Sequence, residues 1–130
     1  MKKPKWLSRT LVAAIHDEAI YEFGGLRGVR DVGLLESAVA RPQNRLAHLP
    51  KSTVFELAAT LCVGLAKNHP FLDGNKRTAL LAARAFLFLN GYAFEPDEAD
   101  EVATMVAIAD SSIDEPVVAA WFKRHSGRIK

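Results

Sequence analysis

The chain has 130 residues, the length of one domain, and its 49% of apolar and 25% of charged residues are typical of a soluble globular protein. The net charge of +2 is too small to indicate nucleic-acid binding, and the single cysteine excludes an internal disulfide. Because no apolar run has the length of a signal-peptide core or of a membrane span, we expect one cytoplasmic domain over residues 1–130 with no membrane contact.

The first helix is predicted over residues 9–23, where apolar residues recur at helical spacing after the N-cap Ser8. Gly24-Gly25 ends it, in a glycine-rich turn that lacks the Lys-Ser/Thr ending of a phosphate-binding P-loop. His16 lies beside the apolar stripe of this helix. We interpret it as a hydrogen-bonded structural residue rather than a catalytic one.

A short second helix is predicted from Val32 to Ala40, because Asp31 is a good N-cap and Arg41-Pro42 should end the helix. Residues 43–51 are then the longest polar loop in the first half of the chain. We interpret this loop as a rim over the active site or a docking surface for a protein target.

The third helix begins with the capping box Thr53–Glu56 and is predicted to reach about Asn68, with Cys62 in its buried stripe as a packing residue. The next helix, from about Lys76 to Leu89, is apolar almost all round and is therefore predicted to be the central element. Two further helices are predicted to start at residues 95–97, ending near Ala109, and at residues 114–116, with Pro116 in the first turn. The sequence thus predicts an all-α fold, a single bundle of about six helices around a central apolar helix.

Between the third and fourth helices, residues 69–77 read His-Pro-Phe-Leu-Asp-Gly-Asn-Lys-Arg, a polar cluster flanked by buried helices. Pro70 disfavours α geometry at the residue before it, so the third helix should end at or just before His69. The free N–H groups at the start of the next helix, with Lys76 and Arg77 in its first turn, form a predicted anion site.

Asp73 and His69 supply the remaining chemistry of this cluster. Asp73 precedes the anion site and can hold a magnesium ion that bridges phosphate oxygens. His69 is a candidate general base for a hydroxyl that attacks phosphorus. The alternative is a plain inter-helix turn, in which Asn75 is only an N-cap and His69 a helix-end cation.

The distribution of charge favours a phosphorylated ligand. Seven cations lie between residues 41 and 84 against only two carboxylates, whereas residues 95–115 carry eight carboxylates and no lysine or arginine. The positive segment contains the polar cluster. Solvated helix faces account for about half of these charges in the simpler interpretation.

The sequence of residues 69–77 closely resembles the signature of Fic-domain proteins, and specifically of their death-on-curing (Doc) toxin branch. The likeness covers nearly the whole chain, through residues 11–28, 31–43 and 75–91. The resemblance implies a small all-α Fic fold that transfers a group from ATP, with Mg²⁺, to a protein hydroxyl. It also implies a role for each residue of the cluster: His69 as the base, Asp73 as the metal ligand, and Gly74, Asn75, Lys76 and Arg77 as phosphate binders.

Two departures from the AMP-transferring Fic pattern bear on which group is transferred. Those enzymes usually have glycine where this chain has Lys76, and a second arginine where it has Leu80. Lys76 with Leu80 resembles the Doc pattern, which implies phosphorylation of a Ser/Thr hydroxyl of elongation factor Tu and a block of translation. Arg84, one turn beyond, is expected to reach the bundle surface rather than replace the missing arginine.

The inhibitory Ser/Thr-x-x-x-Glu-Gly/Asn motif of many Fic enzymes is present only in outline, as Ser52 and Glu56, and Leu57 follows it. We therefore expect inhibition by a Phd-like antitoxin of a type II toxin–antitoxin system, through an acidic residue that enters the basic site. Two alternatives stay open: a Fic-type AMP transferase, and a catalytically silent domain that binds a nucleotide or a partner protein. Direct DNA binding is disfavoured because no basic recognition helix is evident.

Overall fold

The computed structural model describes residues 3–130, so the first two residues of the predicted domain lie outside it. The elements in chain order are α1 (Arg9–Phe23), α2 (Val32–His48), α3 (Val54–Asn68), α4 (Asn75–Leu89), β1 (Tyr92–Phe94), α5 (Glu98–Ala109), α6 (Glu115–Arg124) and β2 (Ser126–Arg128). The all-α prediction is confirmed. None of the helices in residues 3–130 has both the length and the apolar composition needed to cross a membrane.

Local capping signals set most helix ends as predicted. Ser8 accepts a hydrogen bond from the N–H of Leu11, and Gly24, at φ 88°, ends α1 by donating its N–H to the carbonyl of Ile20. The box at the start of α3 is complete, because Thr53 and Glu56 each bond the other's backbone N–H at 3.1 and 2.8 Å. These caps satisfy donors that a helix end would otherwise leave free.

The prediction that α2 ends at Ala40 is wrong, because the helix continues through Pro42 to His48. Residues 43–48 are therefore helical rather than loop. A proline inside a helix costs about 3 kcal/mol, so other contacts must offset it. Buried Pro42 packs inward, and Arg45 bonds Ser52 and Glu56 at 3.1 Å, which fixes the second half of α2 to the start of α3.

The central helix is α3 and not, as predicted, α4. Eleven of the 15 residues of α3 are buried, against seven of the 15 in α4, whose Phe88 and Leu89 are exposed at the far end. Helix α3 packs against α2, α4, α5 and α6. Both helices are strongly apolar, but α3 is packed on most of its length, whereas α4 ends in exposed residues. Cys62 is buried within it, and burial raises the pKa of its thiol to about 12, which agrees with a packing role.

Strands β1 and β2 form an antiparallel pair that the sequence did not predict, with Ala93 opposite Gly127. The helix predicted to start at Glu95-Pro96-Asp97 has its N-cap at Asp97, the last of the three residues. The N–H of Glu95 instead bonds the carbonyl of His125, so α5 begins at Glu98. Buried Phe94 anchors the pair, with its ring at 4.9–5.0 Å from two aromatic rings of α6. The pair ties the end of the chain to the end of α4.

Glu115 at the start of α6 links three helices. Its carboxylate accepts hydrogen bonds from Thr60 at 2.8 Å and from Arg41 at 2.7 Å, and Arg41 also donates to the carbonyl of Thr60. Burial alone would raise the pKa of Glu115, but these two partners outweigh it and hold the pKa below its ordinary value. The charged carboxylate therefore stabilises the fold.

We expect the Glu115→Gln variant to lower the free energy of unfolding by about 1 kcal/mol at pH 7, because it weakens a partly exposed, charge-assisted pair. Since the folded pKa is depressed, this stabilisation is present above the ordinary carboxyl pKa of 4.5 and is lost as pH falls through the folded value. Urea unfolding at pH 7 and pH 3 measures it. Glu18→Gln, at an exposed position of α1, is the control and should show little difference at either pH. A gap between Glu115→Gln and the parent that is equal at both pH values would contradict the prediction.

Candidate active site

The loop between α3 and α4 presents the histidine of the polar cluster to solvent. Helix α3 ends at Asn68, and His69 adopts the left-handed conformation at φ 50° and ψ 55°, which confirms the predicted effect of Pro70. His69 is exposed while Pro70 and Phe71 are buried. The buried pair anchors the backbone, so the imidazole is carried by a fixed loop.

The side chain of Asn75 holds that loop closed. Its Oδ1 accepts from the N–H of Phe71 and its Nδ2 donates to the carbonyl of the same residue, both at 3.0 Å. The simpler interpretation of Asn75 as an N-cap is wrong, because the N-cap of α4 is Gly74. With its amide engaged, Asn75 has its backbone N–H to offer to a ligand.

The start of α4 differs from the other helix starts in residues 3–130. Each of the other five helices has an N-cap side chain that accepts a backbone N–H, whereas Gly74, at φ 72°, provides none. The first helical bond runs from the N–H of Thr78 to the carbonyl of Gly74. The N–H groups of residues 75–77 therefore have no acceptor within the helix, and they point along its positive dipole end.

Asp73 stands beside these free donors, and three contacts fix it. Its Oδ1 accepts from the N–H of Gly74 at 2.8 Å, and its Oδ2 accepts from the N–H of Leu26 at 3.2 Å. Its backbone carbonyl accepts from Nε2 of His16 at 2.8 Å. The carboxylate is exposed and keeps further lone pairs, so it is positioned to bind a cation.

His16 is a buried residue that supports the loop between α3 and α4. It is 1% exposed, and its ring lies parallel to that of Phe71 with the centroids 3.9 Å apart. Because the carbonyl of Asp73 can only accept a hydrogen bond, Nε2 of His16 carries the proton. This agrees with the structural role predicted for His16, but the sequence did not indicate that the residue it supports is Asp73.

The glycine-rich turn after α1 does more than end that helix. A Cβ built on Gly25, whose φ is 119°, would lie 2.7 Å from Oδ2 of Asp73. A Cβ on the neighbouring Gly24 would meet nothing within 4 Å. Gly25 is therefore the residue whose missing side chain lets the turn close over Asp73 and donate the N–H of Leu26 to it.

Positive side chains complete this end of α4. Lys76 and Arg77 are both exposed in its first turn, and the guanidinium of Arg77 lies 4.1 Å from the centroid of the Phe23 ring. Three of the seven cations counted in the sequence are instead paired elsewhere with carboxylates, namely Arg41, Arg45 and Arg84. Of the seven cations, Lys76 and Arg77 are the two in the first turn of α4.

The donor set fits a magnesium ion shared with phosphate rather than a metal held by protein alone. Residues 3–130 contain no group of three or more His, Cys, Asp or Glu side chains that could hold a metal ion. A single carboxylate beside an anion site is the arrangement by which proteins usually bind Mg²⁺ together with a nucleotide. Asp73 is the carboxylate that lies beside the uncapped start of α4.

Residues 6–87 match the family model described as the Fic/DOC family. The chain belongs to the Fic/DOC family. It is 43% identical over 97 residues to the protein named "Toxin Doc" of Mycolicibacterium smegmatis, covering 71% of this chain and 75% of that protein. It is 39% identical over 101 residues to "Protein kinase doc" of Escherichia phage P1, covering 77% of this chain and 80% of that protein.

Two positions that distinguish patterns within the Fic/DOC family have clear structural settings. Leu80 is 7% exposed and packs in the core, so it offers nothing to a ligand. The guanidinium of Arg84 is engaged by residues that follow α4: its Nη2 donates to Glu101 at 2.5 Å and its Nε donates to the carbonyl of Phe94 at 3.2 Å. It therefore does not replace the arginine that AMP-transferring Fic enzymes usually carry one turn earlier.

The outline of an inhibitory Fic motif at Ser52 and Glu56 is engaged in structural contacts. Ser52 is 6% exposed and donates to the carbonyl of Leu49 at 2.7 Å. Glu56 accepts from the backbone N–H of Thr53 and from Arg45, and these contacts lower its pKa. Its carboxylate is therefore held at the start of α3 instead of being free to enter the active site.

The contact between Gly25 and Asp73 gives a direct test of this Fic/DOC site. We expect Gly25→Ala to lower the rate of group transfer by about 10- to 100-fold, because the new Cβ displaces the carboxylate of Asp73. The measurement is the initial rate with labelled nucleotide, together with the thermal unfolding midpoint.

Gly24→Ala is the matched control, since it also places alanine at positive φ but meets no neighbour. Both variants should lose stability through backbone strain of about 1–3 kcal/mol. Equal transfer rates in the two variants, measured below their unfolding midpoints, would contradict the role given to Gly25.

Proposed function

We propose that this protein is a Doc-like toxin of a type II toxin–antitoxin system, a kinase that transfers the γ-phosphate of ATP to a Ser/Thr hydroxyl of a protein. Membership of the Fic/DOC family supports this proposal, as does the similarity to proteins named as a Doc toxin and a Doc protein kinase. A block of translation in the cytoplasm would follow from modification of a translation factor.

The uncapped start of α4 is the observation that carries the proposal. Free N–H groups of residues 75–77, a positive helix end and two exposed cations converge where the carboxylate of Asp73 is fixed. The free N–H groups and the dipole of such a helix start are sufficient to bind an anion. Gly74 contributes because it has no side chain that could cap these N–H groups, and a Cβ there would lie only 3.2 Å from Cδ1 of Ile20.

Each residue then has a defined task. Lys76 and Arg77 donate hydrogen bonds to phosphate oxygens, and the stacking of Arg77 on Phe23 limits the directions its guanidinium can take. Asp73 would hold Mg²⁺. When bound, the ion neutralises phosphate charge and lowers the barrier to displacement at phosphorus.

His69 acts as the general base. Its exposed imidazole accepts the proton of the incoming protein hydroxyl as the oxygen attacks the γ-phosphorus. The bond from that phosphorus to the β–γ bridging oxygen breaks, ADP leaves, and the imidazole releases its proton to solvent. The left-handed backbone at His69 and the buried residues after it fix the direction from which the base approaches. Accurate placement of base and phosphate is the main contribution an enzyme makes to phosphoryl transfer.

The choice of the γ-phosphate rests on Lys76 and Leu80. The long cation at position 76 occupies a place where AMP-transferring relatives usually have glycine, and the apolar residue at position 80 removes a phosphate ligand deeper along the helix. Both differences resemble the Doc pattern. They favour a nucleotide held with its terminal phosphate toward the hydroxyl.

Labelled ATP tests the transfer directly. The purified protein is incubated with Mg²⁺, elongation factor Tu as the proposed target, and ATP labelled at either the α or the γ phosphate. Label that reaches protein only from the γ position supports the kinase, and label only from the α position would replace it by an AMP transferase. If neither label transfers to the factor or to any protein of a cell lysate, the domain is catalytically silent.

Inhibition is proposed to come from a second protein, a Phd-like antitoxin. Glu56 is engaged at the start of α3, so the chain offers no inhibitory glutamate from this motif. An acidic antitoxin residue would pair with Lys76 or Arg77 and compete with ATP. Operator DNA binding is assigned to the antitoxin rather than to this chain.

A further inference from the structure

The C-terminal end of α3 lacks the usual way of satisfying its last carbonyls. At each of the other five helices in residues 3–130, the N–H of the C-cap residue donates to a carbonyl of the last turn. At α3 no such bond accompanies the C-cap His69, and Pro70, which follows, has no N–H. A left-handed C-cap that is neither glycine nor asparagine needs external support.

Arg30 supplies the missing donors from the segment before α2. Its Nε donates to the carbonyl of His69 at 2.7 Å, and its Nη2 donates to the carbonyl of Asn68 at 2.9 Å. The two bonds come from one planar group and end on consecutive carbonyls. The positive charge also meets the negative end of the α3 dipole.

The backbone around Arg30 adds a second attachment. The N–H groups of Arg30 and Asp31 both donate to the carbonyl of Pro70, at 2.7 and 3.1 Å. The N–H of Leu72 donates back to the carbonyl of Gly28 at 3.1 Å. The guanidinium is therefore not a mobile surface group, because its own main chain is bound to the loop that it supports.

We propose that Arg30 is a positioning residue for His69: its forked pair of hydrogen bonds keeps His69 in the left-handed conformation and thereby fixes the position from which the imidazole acts. Without the fork, a residue that precedes proline relaxes toward extended backbone, and the imidazole leaves its catalytic position. The inference rests on the proposed role of His69 as base. It makes Arg30 act through His69 and not on ATP.

Arg30→Lys is the decisive variant, because lysine keeps the charge but cannot bond two carbonyls with one planar group. We expect its kcat for phosphate transfer to fall by about 10- to 100-fold, with the KM for ATP changed less than twofold. The NMR signals of the His69 imidazole should shift or broaden in the same variant. In Arg30→Ala, added guanidinium ion should restore part of the lost rate.

Arg9→Lys is the matched control, since Arg9 is also exposed and its guanidinium bonds a carboxylate, that of Glu36 on α2. It should leave kcat unchanged. A kcat for Arg30→Lys within twofold of the parent, with unaltered His69 signals, would overturn the inference, and so would a loss confined to KM. If His69→Ala itself keeps full activity, the proposed function has failed instead; loss in His69→Ala with none in Arg30→Lys rejects only the role of Arg30.

Discussion

Replacement of His69 by alanine is expected to reduce transfer of labelled phosphate by about 10²- to 10⁴-fold, because the variant lacks the base proposed for the attacking hydroxyl. The side chain is exposed, so the fold should persist. His69→Asn is a useful second variant, since asparagine tolerates the left-handed conformation while its amide cannot accept the proton. Initial rates with ATP and Mg²⁺, and growth arrest on expression, measure the effect.

His48→Ala is the matched control for this prediction. His48 is also exposed, at the end of α2, and its Nδ1 lies 2.8 Å from a carbonyl of its own helix. Its removal should leave the transfer rate within about twofold, since surface substitutions away from special features have small effects. Transfer that survives in both His69 variants would exclude general-base catalysis by His69. Growth arrest that survives without any transfer would instead favour a silent binding domain.

Asp73→Asn is expected to reduce transfer by about 10²- to 10³-fold, the usual effect of removing one electrostatic stabiliser from an active site. Asparagine has one acceptor oxygen where aspartate has two, so either Gly74 or Leu26 loses its partner. The Mg²⁺ concentration at half-maximal rate should rise as well, because a neutral amide is a poor ligand for this ion. Magnesium titrations of the initial rate test both effects.

Asp110→Asn controls for the loss of a carboxylate in an exposed turn, because Asp110 likewise accepts a backbone N–H, that of Ser112. It lies between α5 and α6 and should leave the magnesium dependence unchanged. An unaltered magnesium requirement in Asp73→Asn would show that the carboxylate does not hold the ion. The proposed role of Asp73 would then be rejected, while that of His69 would be unaffected.

Helix ends were predictable from the sequence wherever short-range chemistry decides them. The cap at Ser8, the box at Thr53 and the stop before Pro70 each depend on residues within four positions, and all three are confirmed. The cap residues before α5 and α6, Asp97 and Asp114, follow the same rule. Such signals act through backbone donors that every helix start exposes.

The predictions that are wrong, the end of α2 and the identity of the central helix, share a cause: tertiary contacts decide both. Pro42 is a helix breaker by itself, yet Arg41 and Arg45 bond residues of other helices on either side of it and keep α2 intact. The central position of α3 depends likewise on which helices surround it. Apolar composition alone does not distinguish a helix packed on all sides from one that ends in exposed Phe88.

The contiguous cluster at residues 69–77 could be read from the sequence, but its supports could not. His16 and Arg30 both act on backbone carbonyls of this loop, across separations of 57 and 39 positions. A carbonyl belongs to every residue type, so the target of such a bond leaves no mark in the sequence. Gly25 left a partial signal, since two adjacent glycines indicate an unusual backbone but not what approaches it.

The uncapped start of α4 links occupancy of the site to local stability. In the free protein this helix start has no side chain to close it, so its first turn should open more readily than a capped one and exchange its amide hydrogens faster. Any anion that binds there takes the place of the missing cap. It raises the free energy of opening, because it binds only the closed form. ATP and an acidic antitoxin would thus protect the same amides. The toxin would be more resistant to proteolysis when bound to either than when free.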